Sequence, residues 1–286
     1  MPELPEVEVL VRYLAPSLKG KPIHEVRVHR ARILRPTSLS KFKKSLTQAV
    51  FQGLERHGKF LLFQLCQEST GKSIRLLGHL GMTGRMYLQS LGDPLPKHAA
   101  VSFTLPGQRF VFEDTRYFGR LTLDTRAIER LGPEPLGDGF TMDYFSDALK
   151  QSSQPIKVKL LDQSLVAGLG NIYASESLFR ARISPRIRSN KLNCEQVGRL
   201  RKAIREVLRR AIQFGSTVPL DWSGASSHDR LFYYGQVPDA ADFYEERLQV
   251  YDRAGQSCRR CGSTIRRLVQ GARSTFYCPD CQPARG

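Results

Sequence analysis

The chain has 286 residues and a hydrophobic content of 41%, which fits two modest globular domains and excludes a disordered chain. Lysine and arginine total 44 against 27 acidic residues, and the resulting net charge of +17 favours a polyanionic partner, above all nucleic acid. No apolar run approaches the ~20 residues of a membrane span, and the acidic N-terminus lacks an apolar signal core, which argues against membrane and secreted classes.

The first six residues, Met-Pro-Glu-Leu-Pro-Glu, carry the most informative local pattern. Removal of Met1 would leave Pro2 with a free secondary amine, and an α-amino group titrates near ~8. Such an amine forms an iminium ion on attacking a sugar carbon, and the iminium is an electron sink for later eliminations. Glu3 and Glu6 stand at i,i+3 spacing, on one helix face. The same residues also fit an ordinary helix start, with proline and acids in the first turn.

The first half of the chain has one predicted helix followed by strands. Apolar residues at helical spacing predict a helix over Glu6–Leu18. Short apolar runs between Gly, Pro and Asp predict the strands of a β-sandwich or barrel at Ile23–Val28, Lys59–Leu65, Ser73–Leu77, Arg85–Leu88, Ala100–Leu105, Arg109–Phe112 and Arg120–Leu123. The glycines and prolines of Gly132–Gly137 predict a linker.

The second half of the chain is predicted to be helical. Helices are expected at Tyr144–Leu149, Ala174–Ala181 and, most clearly, Glu195–Phe214. One face of the last helix carries a run of basic residues: Arg199, Arg201, Lys202, Arg205 and Arg209. Such a run is usually a solvated face, but its shared sign favours a phosphate-facing role. From Gly215 to Phe243 the pattern is irregular and predicts a long loop, a length that is often functional.

The six cysteines include two CxxC pairs near the C-terminus, Cys258/Cys261 and Cys278/Cys281, separated by sixteen residues. Two such pairs supply four thiolates on tight turns, the ligand set of a tetrahedral structural zinc site. Iron–sulfur ligation and a thiol redox pair are the alternatives. The sequence therefore predicts one structural Zn²⁺ and an arginine-bearing β-hairpin between the pairs, with Cys66 and Cys194 as ordinary thiols.

A glycine-rich segment precedes the helix predicted at Ala174. Gly168, Gly170 and Asn171 would expose backbone N–H groups at the positive end of that helix, an anion-binding arrangement. A plain turn between helices is the equally weighted alternative.

Together, the N-terminal Met-Pro-Glu-Leu-Pro-Glu-Val-Glu, the Gly170–Glu176 segment and the CxxC pairs resemble bacterial formamidopyrimidine-DNA glycosylases. The resemblance runs in order along nearly the whole chain, and Leu4 stands where the related endonuclease VIII branch has glycine. It implies an α+β protein: an N-terminal β-sandwich with the N-terminal helix (1–131), a linker (132–137), a helix–two-turns–helix domain (138–247) and a zinc-finger β-hairpin (248–286). A loop at about 216–242 would close over the extruded base.

The resemblance also implies the chemistry. Such enzymes excise oxidised purines, typified by 8-oxoguanine and formamidopyrimidines, and then cut the strand by β- and δ-elimination. Pro2 would be the nucleophile at the sugar C1′, Glu3 the acid/base for ring opening, and Glu6 its support. Lys59 would bind phosphate and assist elimination, and Arg273 would complete the catalytic set as a phosphate contact.

Contacts with damaged double-stranded DNA are implied as well. An enzyme acting on a base in a duplex must extrude it and fill the gap. Met82 would fill the vacated stack, Arg116 would bond the orphaned cytosine, and Phe118 would wedge the neighbouring step. The implied phosphate contacts are His79, His98, Lys157 and Asn171.

The sequence departs from the family pattern at three places. Lys97-His98-Ala99-Ala100 stands where an acid and a second histidine are usual, Ser152 and Ser153 occupy an area that is often rich in lysine, and no lesion-contacting residue transfers onto 216–242. The last departure bears on the choice of lesion. Three alternatives stay open: a glycosylase for oxidised pyrimidines, a non-catalytic damaged-DNA-binding relative, and an RNA-binding zinc-ribbon protein. The resemblance further implies a monomer acting in the bacterial cytoplasm, at the nucleoid.

Overall fold

The structure is a computed structural model that describes residues 2–215 and 248–284. The described residues form two compact units, one of residues 2–129 and one of residues 130–214 with 248–284. The loop predicted at 216–242 lies outside the described residues. Within the described ranges, no helix is both long and apolar enough to cross a membrane.

The first unit contains four helices and the strands β1 to β8. The first helix starts with Pro5 in its first turn, and its apolar residues Val7, Leu10 and Leu14 are buried. The helices of this unit are α1 (Leu4–Leu18), a 3₁₀ turn (Ala31–Leu34), α2 (Leu39–Leu46) and α3 (Arg126–Glu129). The strands are β1 (Glu25–Val28), β2 (Ala49–His57), β3 (Phe60–Gln67), β4 (Lys72–His79), β5 (Gly84–Ser90), β6 (Ala99–Leu105), β7 (Gln108–Asp114) and β8 (Arg120–Thr122).

These strands form two four-stranded antiparallel sheets, in the orders β1-β6-β7-β5 and β2-β3-β4-β8. Phenylalanines from both sheets meet in the core, where the Phe63 and Phe110 rings lie 5.7 Å apart and the Phe51 and Phe110 rings 6.2 Å apart. Helix α1 contacts β2 and β3. The predicted β-sandwich with an N-terminal helix is confirmed.

The second unit contains the remaining elements: α4 (Met142–Lys150), α5 (Ile156–Lys159), α6 (Asn171–Ala181), a 3₁₀ turn (Ser189–Lys191), α7 (Cys194–Gly215), β9 (Arg266–Gln270) and β10 (Arg273–Tyr277). Helix α7 starts with a reciprocal cap, because Gln196 N–H donates to Asn193 Oδ1 and Asn193 N–H donates to Gln196 Oε1. Strands β9 and β10 form the predicted hairpin between the CxxC pairs. The predicted α+β class is thus confirmed.

The basic face of α7 differs from the expectation of a phosphate-facing role. Arg201 donates to the Phe140 carbonyl oxygen at 2.6 Å, and Arg205 donates to the carbonyl oxygens of Leu136 and Gly137. These guanidinium groups satisfy backbone acceptors in and just after the segment predicted as a linker. At these two positions the positive charge therefore holds a protein segment in place.

Candidate functional site

The start of α1 buries two carboxylates next to Pro2. Glu3 is the N-cap, and Glu6 Oε2 accepts a hydrogen bond from the Glu3 backbone N–H at 2.7 Å. The Glu3 side chain in turn accepts from the Glu6 N–H, which completes a capping box. Both glutamates are 1% exposed. The two sequence interpretations are therefore compatible, since one reciprocal cap fixes the helix start and holds both acids beside Pro2.

Lys59 lies in the turn that joins β2 and β3. His57 pairs with Phe60 across the hairpin, so the turn consists of Gly58 and Lys59 alone. Gly58 has φ +57, a conformation that glycine adopts without strain. The side chain of Lys59 is largely buried, with 8% of the residue exposed. A buried lysine at a hairpin turn is held in place by its surroundings, unlike an ordinary surface lysine.

An ion pair connects α1 to this turn. Glu8 accepts hydrogen bonds from Arg12 Nε and Arg56 Nε, both at 2.8 Å, and Arg56 also donates to the Gly58 carbonyl oxygen at 3.2 Å. Burial disfavours the charged Glu8, but the two arginines outweigh it and lower the pKa of its carboxyl group. Glu8 therefore stays ionised and couples the helix to the turn that carries Lys59.

His79 ends β4 and packs against the Lys59 hairpin, with its ring centroid 4.8 Å from that of Phe60. Its Nδ1 accepts a hydrogen bond from the Gly81 N–H at 3.1 Å, so the neutral ring carries its proton on Nε2. Burial lowers the pKa of His79 to about 4, helped by the charges of Lys59 and Arg120. His79 is therefore a neutral Nε2–H donor at pH 7.

Met82, Arg116 and Phe118 lie on two loops, 80–83 and 115–119, which face each other. Met82 is 37% exposed and Phe118 51% exposed, a high value for large apolar side chains. The Arg116 guanidinium stacks over the Phe118 ring, 4.8 Å from its centroid. His98 approaches the second loop, since its Nδ1 lies 3.4 Å from the Tyr117 hydroxyl. The structure thus places Met82, Arg116 and Phe118 on one pair of loops. His79 directly precedes the first loop, and His98 lies beside the second.

In the second unit, Lys157 and Asn171 form a connected pair. Lys157 is fully buried, and its Nζ donates to Asn171 Oδ1 at 2.5 Å. The Asn171 amide nitrogen donates to the Ser274 carbonyl oxygen at 2.9 Å, so the pair links α5, α6 and β10. A lysine ammonium only donates, which fixes the orientation of the Asn171 amide.

Glu176, on α6, links that helix to the chain before the zinc hairpin. Its carboxylate accepts backbone N–H bonds from Gln249, Val250 and Tyr251, each at 2.9 Å. Burial raises the pKa of Glu176, and the three N–H donors oppose that rise. Sequence reasoning identified Glu176 only as the last residue of a motif and predicted no role for it.

The four cysteine sulfurs of the two CxxC pairs form one cluster, all within 4.8 Å of one another. The separations are 3.9 Å for Cys258–Cys281 and 3.4 Å for Cys261–Cys278, close to the ~3.8 Å edge of a tetrahedron with ~2.3 Å Zn–S bonds. Backbone N–H groups of Arg260 and Cys281 point at cluster sulfurs. Burial raises the pKa of Cys278, so a dication is what lets all four act as thiolates. The residues fit one structural Zn²⁺.

Arg273 follows the tight turn of the zinc hairpin. Gly271 and Ala272 both have positive φ, +55 and +57, as a two-residue type I′ turn requires. Arg273 is exposed as the first residue of β10. The metal cluster and the turn together fix the position from which this guanidinium projects.

Family models match most of the chain. The formamidopyrimidine-DNA glycosylase N-terminal domain matches residues 1–121, the helix–two-turns–helix domain of the same enzymes matches 131–220, and the zinc finger found in these enzymes and in IleRS matches 255–284. The chain belongs to the formamidopyrimidine-DNA glycosylase family. Membership confirms the predicted enzyme class, a DNA glycosylase, and the zinc-finger model agrees with the sulfur cluster.

Curated relatives match over the full length. A formamidopyrimidine-DNA glycosylase of Herpetosiphon aurantiacus is 38% identical and covers 99% of this chain and 100% of its own. That of Thermus thermophilus is 40% identical, with 99% and 98% covered. The solved structure of the Lactococcus lactis glycosylase non-covalently bound to DNA containing an AP site is 32% identical, has a TM-score of 0.83, and covers 98% of this chain and 99% of its own.

Sequence reasoning missed the residues that hold the site residues in place. The i,i+4 spacing of Glu8 and Arg12 could have identified Glu8, but no spacing indicated the contacts of Arg56 with Glu8 and Gly58. The hydrogen bond between Thr83 and Asp114 gave no sequence signal, because it joins positions 31 residues apart.

Proposed function

We propose that this glycosylase excises oxidised purines, typified by 8-oxoguanine and formamidopyrimidines, and then cuts the strand as an AP lyase. It acts as a monomer on damaged double-stranded DNA in the bacterial cytoplasm. The predicted boundaries at 131, 137 and 247 separate its sandwich, linker, helix–two-turns–helix domain and zinc hairpin. The observation that carries the proposal is the capping box that buries Glu3 and Glu6 directly after Pro2.

The first step uses the corner where α1 begins. After loss of Met1, the Pro2 nitrogen attacks C1′ of the damaged nucleoside, and the bond from C1′ to the base breaks. The base leaves with the electron pair of that bond and takes up the proton that the Pro2 nitrogen loses. Glu3 delivers a proton to the ring oxygen as the sugar opens, which leaves a Pro2 iminium ion. Glu6 holds the Glu3 backbone through its 2.7 Å hydrogen bond, so the acid has one position relative to Pro2.

Elimination then follows on the iminium. Loss of a C2′ proton expels the 3′ phosphate, and a second elimination expels the 5′ phosphate, which leaves phosphates on both sides of a one-nucleotide gap. The Lys59 ammonium is suited to neutralise a phosphate as it leaves, and the neutral His79, which packs against the neighbouring Phe60, supplies an Nε2–H donor.

The loops 80–83 and 115–119 support a purine preference opposite cytosine. Two exposed apolar side chains, Met82 and Phe118, fit the space an extruded base leaves, and the Arg116 guanidinium supplies donors for the acceptors of cytosine. Solved structures of Lactococcus lactis FPG with FAPY-dG DNA and of a MutM with carbocyclic 8-oxo-G DNA, 32% and 33% identical to this chain, support the same class of lesion.

The second unit would clamp the DNA backbone. Asn171 at the start of α6 and Arg273 on the zinc hairpin would bind phosphates, and Lys157 would orient the Asn171 amide. Zinc bound by the four cysteines would fix the hairpin. With every metal position filled by protein sulfur, the metal serves architecture.

Borohydride trapping tests the proposal. The protein is incubated with a duplex containing 8-oxoguanine opposite cytosine, and the reduced adduct is analysed by intact-mass and N-terminal peptide measurement. The expected product is a covalent adduct on Pro2 of Met1-free protein. A duplex containing an oxidised pyrimidine is run in parallel.

Pro2→Gly is the matched variant, because it replaces the secondary amine with a primary amine whose imine needs a proton to become cationic. It should strongly reduce excision and leave affinity for the lesion duplex intact. Unchanged excision would place the nucleophile elsewhere. Absence of any adduct with Met1-free wild-type protein would favour a binding protein, and an adduct on the pyrimidine duplex alone would favour the endonuclease VIII-like alternative.

A further inference from the structure

One buried carboxylate joins the two loops that carry Met82, Arg116 and Phe118. Asp114 ends β7 and is 0% exposed. Its Oδ1 accepts from the Thr83 hydroxyl at 2.6 Å and from the Arg116 N–H at 3.2 Å, and its Oδ2 accepts from the Gly119 N–H at 2.7 Å. Hydrogen bonds to an ionised, buried acceptor are among the stronger ones in proteins. Asp114 therefore holds both ends of the 115–119 loop and the end of the 80–83 loop.

The two loops also touch through their backbones. A Cβ atom on Gly81 would lie 2.6 Å from Gly119 N and 2.7 Å from the Phe118 carbonyl carbon, distances that no side chain tolerates. Gly81 has φ +64, which adds a second reason for glycine there. The loops are thus packed at van der Waals contact next to the hydrogen bonds of Asp114.

The conformation of the second loop is itself unusual. Tyr117 has φ +52, a left-handed conformation that costs a non-glycine residue about 1–2 kcal/mol. Its ring is covered by the Arg30 guanidinium at 5.0 Å, and its hydroxyl lies near His98. With Tyr117 in this left-handed conformation, the Arg116 guanidinium lies over the Phe118 ring. Such a conformation persists only where the surroundings hold it.

We infer that Thr83 and Asp114 are positioning residues that hold the two loops in one arrangement, so that Met82, Arg116 and Phe118 enter the duplex as a unit. The inference rests on the proposed function and deepens it. Neither residue has a part in the chemistry proposed at the sugar. Their loss should therefore affect extrusion of the base and recognition of the opposite cytosine, and leave the elimination chemistry in place.

Thr83→Val tests this inference, because valine keeps the shape and removes only the hydroxyl. Thr83→Ser is the matched variant that keeps the hydroxyl. We expect T83V to lower kcat/KM on an 8-oxoguanine:cytosine duplex about tenfold, the effect of losing one bond to a charged group. On the same duplex with a preformed abasic site, where no base must be extruded, the loss should be less than about twofold. T83S should recover most of the activity.

Opposite-base preference is the second readout, since Arg116 must be held in position to distinguish cytosine from adenine. T83V should lower the ratio of the excision rate opposite cytosine to the excision rate opposite adenine, and T83S should restore that ratio. Equal losses on lesion and abasic duplexes, or an unchanged ratio, would overturn the inference. If T83V does not fold, Asp114→Asn is measured in the same way with the same outcomes. Failure of wild-type protein to be trapped on the abasic duplex would instead refute the proposed function.

Discussion

The start of α1 and the loop pair 80–83 and 115–119 present their side chains in opposite ways. Glu3 and Glu6 are 1% exposed and satisfy each other's backbone N–H groups, whereas Met82 and Phe118 are 37% and 51% exposed. The first region can hold acids at fixed positions because helix capping aligns them. The second leaves its apolar groups outside the core, as the proposed entry into a duplex requires.

The difference separates chemistry from recognition. A proton-transferring acid must keep one position within hydrogen-bond reach of its substrate, and burial in a cap provides that. A side chain that fills a base stack must be free of protein partners on its outer surface, and its precision has to come from the loop beneath it. In this chain that precision comes from the Asp114 carboxylate, which is as buried as the glutamates of the cap.

Glu3→Gln should remove the acid from the start of α1 and cause the largest effect of the predicted variants. Glutamine keeps an acceptor for the Glu6 N–H but cannot supply the proton for ring opening. Excision of 8-oxoguanine should fall on the order of 10²–10⁴-fold, the usual contribution of a positioned general acid. Cleavage at a preformed abasic site should fall far less, because that sugar already equilibrates with an open aldehyde. Single-turnover rates on the two duplexes measure both effects.

The control for this variant is Glu68→Gln, which changes an exposed glutamate in the same unit. It should leave both rates unchanged. Equal losses of excision and abasic-site cleavage in Glu3→Gln would show that Glu3 does more than open the ring.

Cys258→Ser tests whether a third region, the zinc cluster, supports DNA binding. Loss of one of four thiolates should empty the zinc site and release the hairpin that carries Arg266, Arg267 and Arg273. The slope of log affinity against log salt should become shallower by about 0.9 for each phosphate that the variant no longer binds. Zinc content by elemental analysis and DNA titrations at several salt concentrations measure the result.

Cys194→Ser is the matched control, because Cys194 is a free, exposed cysteine outside the cluster. It should retain one zinc per chain and the wild-type salt slope. Retention of both properties by Cys258→Ser as well would refute the role assigned to the zinc hairpin.

Features with short sequence spacing were predictable, and features that join distant positions were not. The α1 start depends on Glu3 and Glu6, three residues apart, and the zinc site on two CxxC pairs, so each could be predicted from local spacing. The Asp114 network joins Thr83 to a strand 31 residues later through the register of β5 with β7. Only the sheet topology brings them together.

Charge was the least informative property at the level of single residues. The surplus of +17 favoured a polyanionic partner, yet Arg201 and Arg205 donate to carbonyl groups of the protein itself. A sequence contains the cations but does not show which carbonyl or amide acceptors the fold will place beside them. The total charge therefore indicates a partner better than it indicates contact residues.

His79, which directly precedes the 80–83 loop, gives the smallest expected effect, a pH dependence of stability. Its pKa is about 4 in the folded protein and ~6.5 when unfolded, so between these values the unfolded chain binds the extra proton. The stabilisation is complete above pH 6.5 and is lost as the pH falls toward 4, by about 1–3 kcal/mol in total. Denaturant unfolding at pH 7.5, 6 and 4.5 should show this loss in wild-type protein.

His79→Asn should flatten that pH dependence, because asparagine does not titrate and its side-chain oxygen can still accept from the Gly81 N–H. The control is His24→Asn, which changes an exposed histidine of the same unit and should keep the wild-type slope. Parallel curves for wild type and His79→Asn would mean that folding does not lower the pKa of His79. The ring would then gain its proton near pH ~6.5 in the folded protein as in the unfolded chain, and its repulsion of the Lys59 ammonium would have to be absorbed within the hairpin on acidification.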